Sequence, residues 1–257
     1  MKVKICGLKS LEDISYVNEA MPDYAGFIFA EGSKRKVTLE QAKFMKEALN
    51  TNIKSVGVFV DEELQNIINT VENGVIDLIQ LHGSENNDFI KELKNITGLE
   101  VIKAFKADEN LKMNIENTDA DYVLVDSFNK NAFGGTGAVF NWGLIPKTDK
   151  KIFLAGGLNL QNISNLLQEL NYTASTKTMD LDFQFSEHKN LENSEKFENV
   201  SNENSAVFKI PPYCLDVNSG VETNGKKDRQ KILEITQLIK TQKQKKTDTK
   251  SINSKRI

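Results

Sequence analysis

Short apolar runs alternate along the chain with longer stretches in which apolar residues recur every three or four positions. The first run, KVKIC (2–6), has the composition of a β-strand. In SLEDISYVNEA (10–20), Leu11, Ile14 and Val17 share a helical face behind Ser10, a suitable N-cap. YAGFIFA (24–30) reads as a buried strand, and TLEQAKFMKEAL (38–49) as a helix capped by Thr38. IKSVGVFV (53–60) predicts a strand, after which Asp61 caps a helix over EELQNIINTV (62–71). The same alternation gives strand IDLIQLH (76–82) with helix SENNDFIKELKNI (84–96), and strand EVIKAF (100–105) with a weak helix over 108–116. Strands DYVLVDS (121–127) and KIFLAGG (151–157) follow, then helix NLQNISNLLQEL (159–170), strand PYCLDVNSG (212–220) and helix KKDRQKILEITQLIK (226–240).

That makes eight strands, each followed by a helix or a helix-sized segment, with the least regular connection after the sixth. Strands separated by helices pair in parallel, and continuous apolar runs suit strands covered on both faces. Eight such units favour a closed (β/α)8 barrel, with an open doubly wound sheet as the structural alternative. We read residues 1–240 as one α/β domain. The rhythm fails over 171–209, which are rich in Asn, Ser, Glu and Lys and lack periodicity; they read as a polar, mobile insertion before the eighth strand. In a barrel this insertion emerges on the face away from the catalytic mouth, so its histidine, His188, is expected at the surface. Residues 241–257, basic and polar, read as a flexible tail.

Composition narrows the partners. In 257 residues, 33 Lys and Arg against 36 Asp and Glu leave a formal net charge of -3, which favours neither nucleic acid nor a membrane surface. No apolar stretch approaches the roughly 18 residues of a membrane span, and KVKIC is too short and too charged for a signal-peptide core. Two cysteines in unrelated surroundings suggest neither a disulfide framework nor a zinc site, so a reducing, cytoplasmic setting fits.

In a parallel barrel, chemistry sits at the carboxyl ends of the strands. Cys6 ends the first strand and Asp126 the sixth. Together a thiol and a carboxyl suggest a proton-transfer pair; taken singly, a strand-end Cys such as Cys6 is more often a small buried hydrophobe, and an Asp such as Asp126 a turn or cap residue. FGGTG (133–137, with Gly135 at its centre), AGGLN (155–159, with Gly156 and Gly157) and NSGVE (218–222, with Ser219 and Gly220) follow strands six, seven and eight. Glycine lets backbone amides approach an anion closely, and the loops after strands seven and eight form a recurring phosphate site in barrels; the alternative is a set of structural turns. Arg35, after the second strand, suits a bidentate grip on a carboxylate or a solvated basic loop. His82, ending the fourth strand in QLHG, is either structural or functional.

Taken in order, KICGL, GFIFAEGSKRKVT, VGVFV, IQLHGSE, VIKAF, VLVDS, GGTGAVFNW, LAGGLNLQN and LDVNSGVETNGKKD resemble phosphoribosylanthranilate isomerase, a family of tryptophan biosynthesis. The resemblance covers roughly residues 2–170 and 211–240; the insertion and the tail depart from it. It implies a single barrel that converts N-(5-phosphoribosyl)anthranilate to 1-(2-carboxyphenylamino)-1-deoxyribulose 5-phosphate by an Amadori rearrangement, with no metal or organic cofactor. By motif, Cys6 would be the general base and Asp126 the general acid. Arg35 would hold the anthranilate carboxylate, and the loops of Gly156, Gly157, Ser219 and Gly220 the phosphate, with Gly135 and His82 also at the substrate. The expected partner is a small phosphorylated substrate, bound by a monomer or homodimer. Indole-glycerol-phosphate synthase and the histidine-pathway isomerase share the phosphate loops but not KICG. A barrel that binds a phosphate ligand without turning it over is the alternative of another class.

Overall fold

Strand β1 (Lys2–Cys6) pairs in parallel with β2 (Tyr24–Ile28), and pairing continues in sequence order through β3 (Lys54–Phe59), β4 (Leu78–Leu81), β5 (Val101–Lys106), β6 (Tyr122–Asp126), β7 (Lys151–Ala155) and β8 (Cys214–Val217). β8 then pairs with β1, Lys4 opposite Asp216, and the sheet is a closed barrel, not an open one. The structure is a computed structural model that describes residues 1–126, 146, 148–170 and 211–253, with side chains as far as Thr241. The connection after β6, including Gly135, and the insertion with His188 lie outside the described residues.

The helices are α1 (Leu11–Ala20), α2 (Leu39–Ala48), α3 (Leu64–Glu72), α4 (Asn87–Thr97), α5 (Leu111–Asn117), α6 (160–170) and α7 (Arg229–Asn253). Ser10 caps α1 by accepting from the Asp13 amide, and Thr38 forms a full capping box with Gln41 at α2. Asp61 does not cap α3. It sits in the left-handed region at φ 48°, and its carboxylate accepts instead from the Ser84 amide and hydroxyl; Glu63 stands at the α3 cap without a side-chain bond. α7 continues past residue 240 through a stretch expected as tail. Residues 241–253 contain no Gly or Pro and are rich in Lys and Gln, which propagate a helix readily. After β8 the chain makes a 3-10 turn (Ser219–Val221) and a two-stranded ribbon, β9 (Glu222–Thr223) with β10 (Lys226–Lys227).

The two-residue period of each strand separates two cores. Val3 and Ile5, Ala25 and Phe27, Val123 and Val125, and Ile152 and Leu154 face outward and pack under the helices. Tyr24, Val56, Leu78, Ile102, Leu124 and Phe153 point inward and fill the barrel, so the interior is packed, not a pore. Nearer the carboxyl ends, Cys6, Ile28, Ala30 and Val58 form a separate small apolar cluster. The same period that turns Val3 and Ile5 out turns Lys4 and Cys6 in.

Candidate active site

At the carboxyl ends of the strands the barrel opens into a cavity of about 490 Å³, within the range of small-molecule sites. Of the residues expected to carry chemistry, Cys6, His82, Asp126, Gly156, Gly157 and Ser219 all line it. Arg35 and Gly220 are not among its lining residues, but each adjoins one or more of them: Arg35 lies on Gly7 beside Asn218, and Gly220 on Leu158. Cys6 is buried, and its thiol has room because residue 26, its partner on β2, is glycine: a Cβ there would stand 2.7 Å from the sulfur. Gly7 adopts φ 74°, and a Cβ on it would lie 2.6 Å from Arg35 Cδ and 2.7 Å from Asn218 Oδ1. Gly7 is therefore required by its backbone conformation and by the packing of Arg35, not by contact with the cavity.

Sequence reasoning missed Lys4. It is fully buried, one strand period below Cys6. Its ammonium donates to Asp216 Oδ2 at 2.6 Å and to Gln80 Oε1 at 2.8 Å. A buried cation needs such partners, since an uncompensated charge in this interior would be strongly destabilising. Burial opposes the Lys4 charge, but Asp216 and the Cys6 thiol outweigh it and hold the ammonium above its ordinary range. Asp216 Oδ1, which is buried, has no hydrogen-bond partner among the described residues. The detectable signal was the period of two: if Cys6 points inward, so does Lys4, and register sets Asp216 beside it.

This setting decides the resting state of Cys6. Burial pushes the thiol up; Lys4 pulls it down, Asp216 pushes it up again, and Lys227 adds a smaller downward pull. The net direction is upward, so the thiol is the resting form near neutrality. Asp126 stands across the cavity, its Oδ2 3.4 Å from His82 Nε2, and His82 Nδ1 lies 3.1 Å from Gln80 Nε2.

The Arg35 guanidinium is engaged: Nε and Nη2 donate to the two Glu222 oxygens at 2.6 and 2.7 Å. Lys227 donates to the same carboxylate at 2.9 Å and to Asn218. The Arg35 hydrogen bonds and the Lys227 charge overcome the effect of burial and lower Glu222 to about 2. The carboxylate partner of Arg35 in the structure is thus one of the chain's own, and the Nη1 edge of the fork is the part Glu222 leaves uncovered.

The two glycine loops meet. Gly156 and Gly157 have φ of 99° and 66°, which turn the chain sharply off β7. A Cβ on Gly220 would come within 1.8 Å of the Leu158 carbonyl oxygen, so the β8 loop rests directly on the β7 loop. Asn159 then accepts from the amides of Gln161 and Asn162 at the start of α6. The result is a glycine-bearing rim on the cavity, whose other lining residues include the acidic side chains of Glu31, Asp126 and Asp216.

A family model described as N-(5'phosphoribosyl)anthranilate (PRA) isomerase matches residues 3–185 and 196–238. The unmatched break, 186–195, is shorter than the insertion expected over 171–209. An N-(5'-phosphoribosyl)anthranilate isomerase of Endomicrobium trichonymphae is 38% identical over 93% of this chain and 98% of its own length. The crystal structure of phosphoribosyl anthranilate isomerase from Thermotoga maritima superposes with a TM-score of 0.67 at 28% identity, over 94% of this chain and 99% of the other. A second isomerase structure, in complex with reduced 1-(o-carboxyphenylamino)-1-deoxyribulose 5-phosphate, gives a TM-score of 0.67 at 26% identity over the same shares. With the barrel, its mouth and these likenesses in agreement, the chain belongs to the N-(5'-phosphoribosyl)anthranilate isomerase family.

Proposed function

We propose that the chain converts N-(5'-phosphoribosyl)anthranilate to 1-(2-carboxyphenylamino)-1-deoxyribulose 5-phosphate in tryptophan biosynthesis, with Asp126 as general acid and Cys6 as general base. One observation carries the reading: Cys6 and Asp126, from the ends of β1 and β6, line one cavity together with Gly156, Gly157 and Ser219 of the glycine rim. The relative crystallised with the reduced product analogue supports a ligand of this shape.

Asp126 delivers a proton to the ribose ring oxygen, the C1′–O bond breaks, and the anilino nitrogen's lone pair forms an iminium. That cation acidifies the C2′ hydrogen. Cys6 takes it as thiolate, leaving an enolamine whose tautomerisation to the ketone gives the product. The phosphate lies remote from the reacting carbons, so binding it at the rim of Gly156, Gly157 and Ser219 orients the substrate without touching the chemistry. The Nη1 edge of Arg35 is the donor for the anthranilate carboxylate. The Lys4 ammonium below Cys6 favours the thiolate when it forms, against the burial that disfavours it.

The test follows the fluorescence of freshly generated phosphoribosylanthranilate with wild-type protein, Cys6→Ser and Asp126→Asn. Wild type should consume it rapidly, and each variant should lose on the order of 10²-fold or more in turnover while melting normally. Near-normal turnover by either variant removes that residue's role. A folded wild type without turnover, stabilised by phosphate ligand, would make the chain a binding barrel.

A further inference from the structure

We propose that Gln80 is a positioning residue that fixes the tautomer of His82, so that His82 presents an Nε2–H to the Asp126 carboxyl. The consequence for turnover rests on Asp126 being the acid; the tautomer does not.

The argument uses only which groups can donate. Gln80 lies within β4, and the two-residue period puts its side chain on the same inward face as His82. Lys4 Nζ, 2.8 Å from the Gln80 amide, is an ammonium with three hydrogens and no lone pair. It is itself held by Asp216 at 2.6 Å and is wholly buried. The Gln80 atom facing it must be the amide oxygen; turned the other way, an NH2 group would face an NH3⁺. The Gln80 atom facing His82 is then the NH2 group, 3.1 Å from Nδ1. An amide NH2 offers hydrogens only, so Nδ1 must offer its lone pair. In neutral imidazole the single N–H is then on Nε2, the atom 3.4 Å from Asp126 Oδ2.

The donors thus run one way, from buried Lys4 at the barrel floor to Asp126 at the mouth. When Asp126 gives up its proton to the ring oxygen, the carboxylate left behind meets an N–H. With the other tautomer it would meet a lone pair. The 3.4 Å separation is long for a hydrogen bond and is of the kind that tightens when substrate binds.

The chain has two histidines, so His188→Gln in full-length ¹⁵N-labelled protein leaves the His82 imidazole to be read alone. Long-range ¹H–¹⁵N correlation should show Nε2 with a pyrrole-type shift and Nδ1 with a pyridine-type shift. Gln80→Glu replaces the donor toward Nδ1 with an acceptor and keeps a partner for Lys4. It should move the proton to Nδ1 and lower kcat about tenfold, one hydrogen bond's worth, with KM within about twofold. An Nδ1–H tautomer in the wild type overturns the proposal, whatever the variant does. So do unchanged ring shifts in folded Gln80→Glu. A proton that moves without any change in kcat supports the tautomer assignment and counts against Asp126 as the acid.

Discussion

Cys6 carries a conflict that its neighbours only partly resolve. A base is needed as thiolate, yet burial and Asp216 hold the thiol above its usual range despite Lys4. The pH dependence of kcat/KM reports the free enzyme, and there the raised thiol governs it. Activity should therefore climb with pH across neutrality, about tenfold per unit, and level off only above the ordinary thiol range near 8.5. Cys6→Asp, whose base is already ionised at pH 6, should lose that limb even if its rate is lower. Initial rates between pH 6 and 10 check both; a flat wild-type profile from 7 to 9 would mean that thiol ionisation does not limit the reaction. Cys6 and Asp126 were legible in the sequence because each closes an apolar run where barrels keep their chemistry. Lys4 was not. A lysine two residues from the N-terminus of a short run reads as solvent-facing, and only its partner Asp216, 212 positions away, makes its burial tolerable. Gln80 was hidden for the same reason: its partners Lys4 and His82 come together only when the barrel closes.

At the level of elements, the glycine rim is held by a backbone contact, and backbone cannot rotate aside. A methyl group on Gly220 would meet the Leu158 carbonyl oxygen at 1.8 Å, its carbon at 2.8 Å and Asn159 Cα at 3.0 Å. Gly220→Ala should part the loops after β7 and β8, raising KM for the phosphorylated substrate at least tenfold while kcat falls less. It should also cost about 2 kcal/mol, or roughly 4–8 °C in Tm. Gly98→Ala supplies the contrast. Gly98 ends α4 at φ 67° with open space around its Cα, so that variant should pay only backbone strain of about 1 kcal/mol and leave KM unchanged. Steady-state kinetics and melts of the two variants decide; a rise in KM shared by both would mean that the rim has no special part in binding. Strands and helices themselves were legible because period and caps agree locally, as at Ser10 and Thr38. Asp61 misled because a carboxylate before a helical pattern has the right chemistry for a cap, while the Ser84 amide and hydroxyl across the β4–α4 loop compete for it and win.

Across the whole molecule, the barrel is sealed where its ends meet. The sequence could count eight strands but not order them, because nothing local says that β8 returns to β1. The seam is made by charge pairs between distant segments: Lys4 with Asp216 inside, Arg229 with Glu19 outside, and Arg35 with Glu222 beside the mouth. The last of these has a defined acid limit. Glu222 ionises near 2 in the fold against an ordinary 4.5, chiefly through the Arg35 hydrogen bonds and then Lys227. A carboxylate whose pKa falls on folding stabilises the fold fully above its unfolded value, and that contribution fades as pH drops from about 4.5 to about 2. Asp61 and Asp77, also lowered, act in the same direction, but they are present in wild type and variant alike and cancel in a difference. Glu222→Gln should therefore melt well below wild type at pH 7, because it leaves Arg35 and buried Lys227 facing each other without their anion. The gap in Tm should narrow steadily below pH 4.5 and be smallest near pH 2, where wild-type Glu222 is itself becoming neutral. Thermal melts of both proteins from pH 2.5 to 7 measure it. A gap that stays constant over that range would show that Glu222 holds the seam by shape and hydrogen bonding alone, and that its charge contributes nothing to closing the barrel.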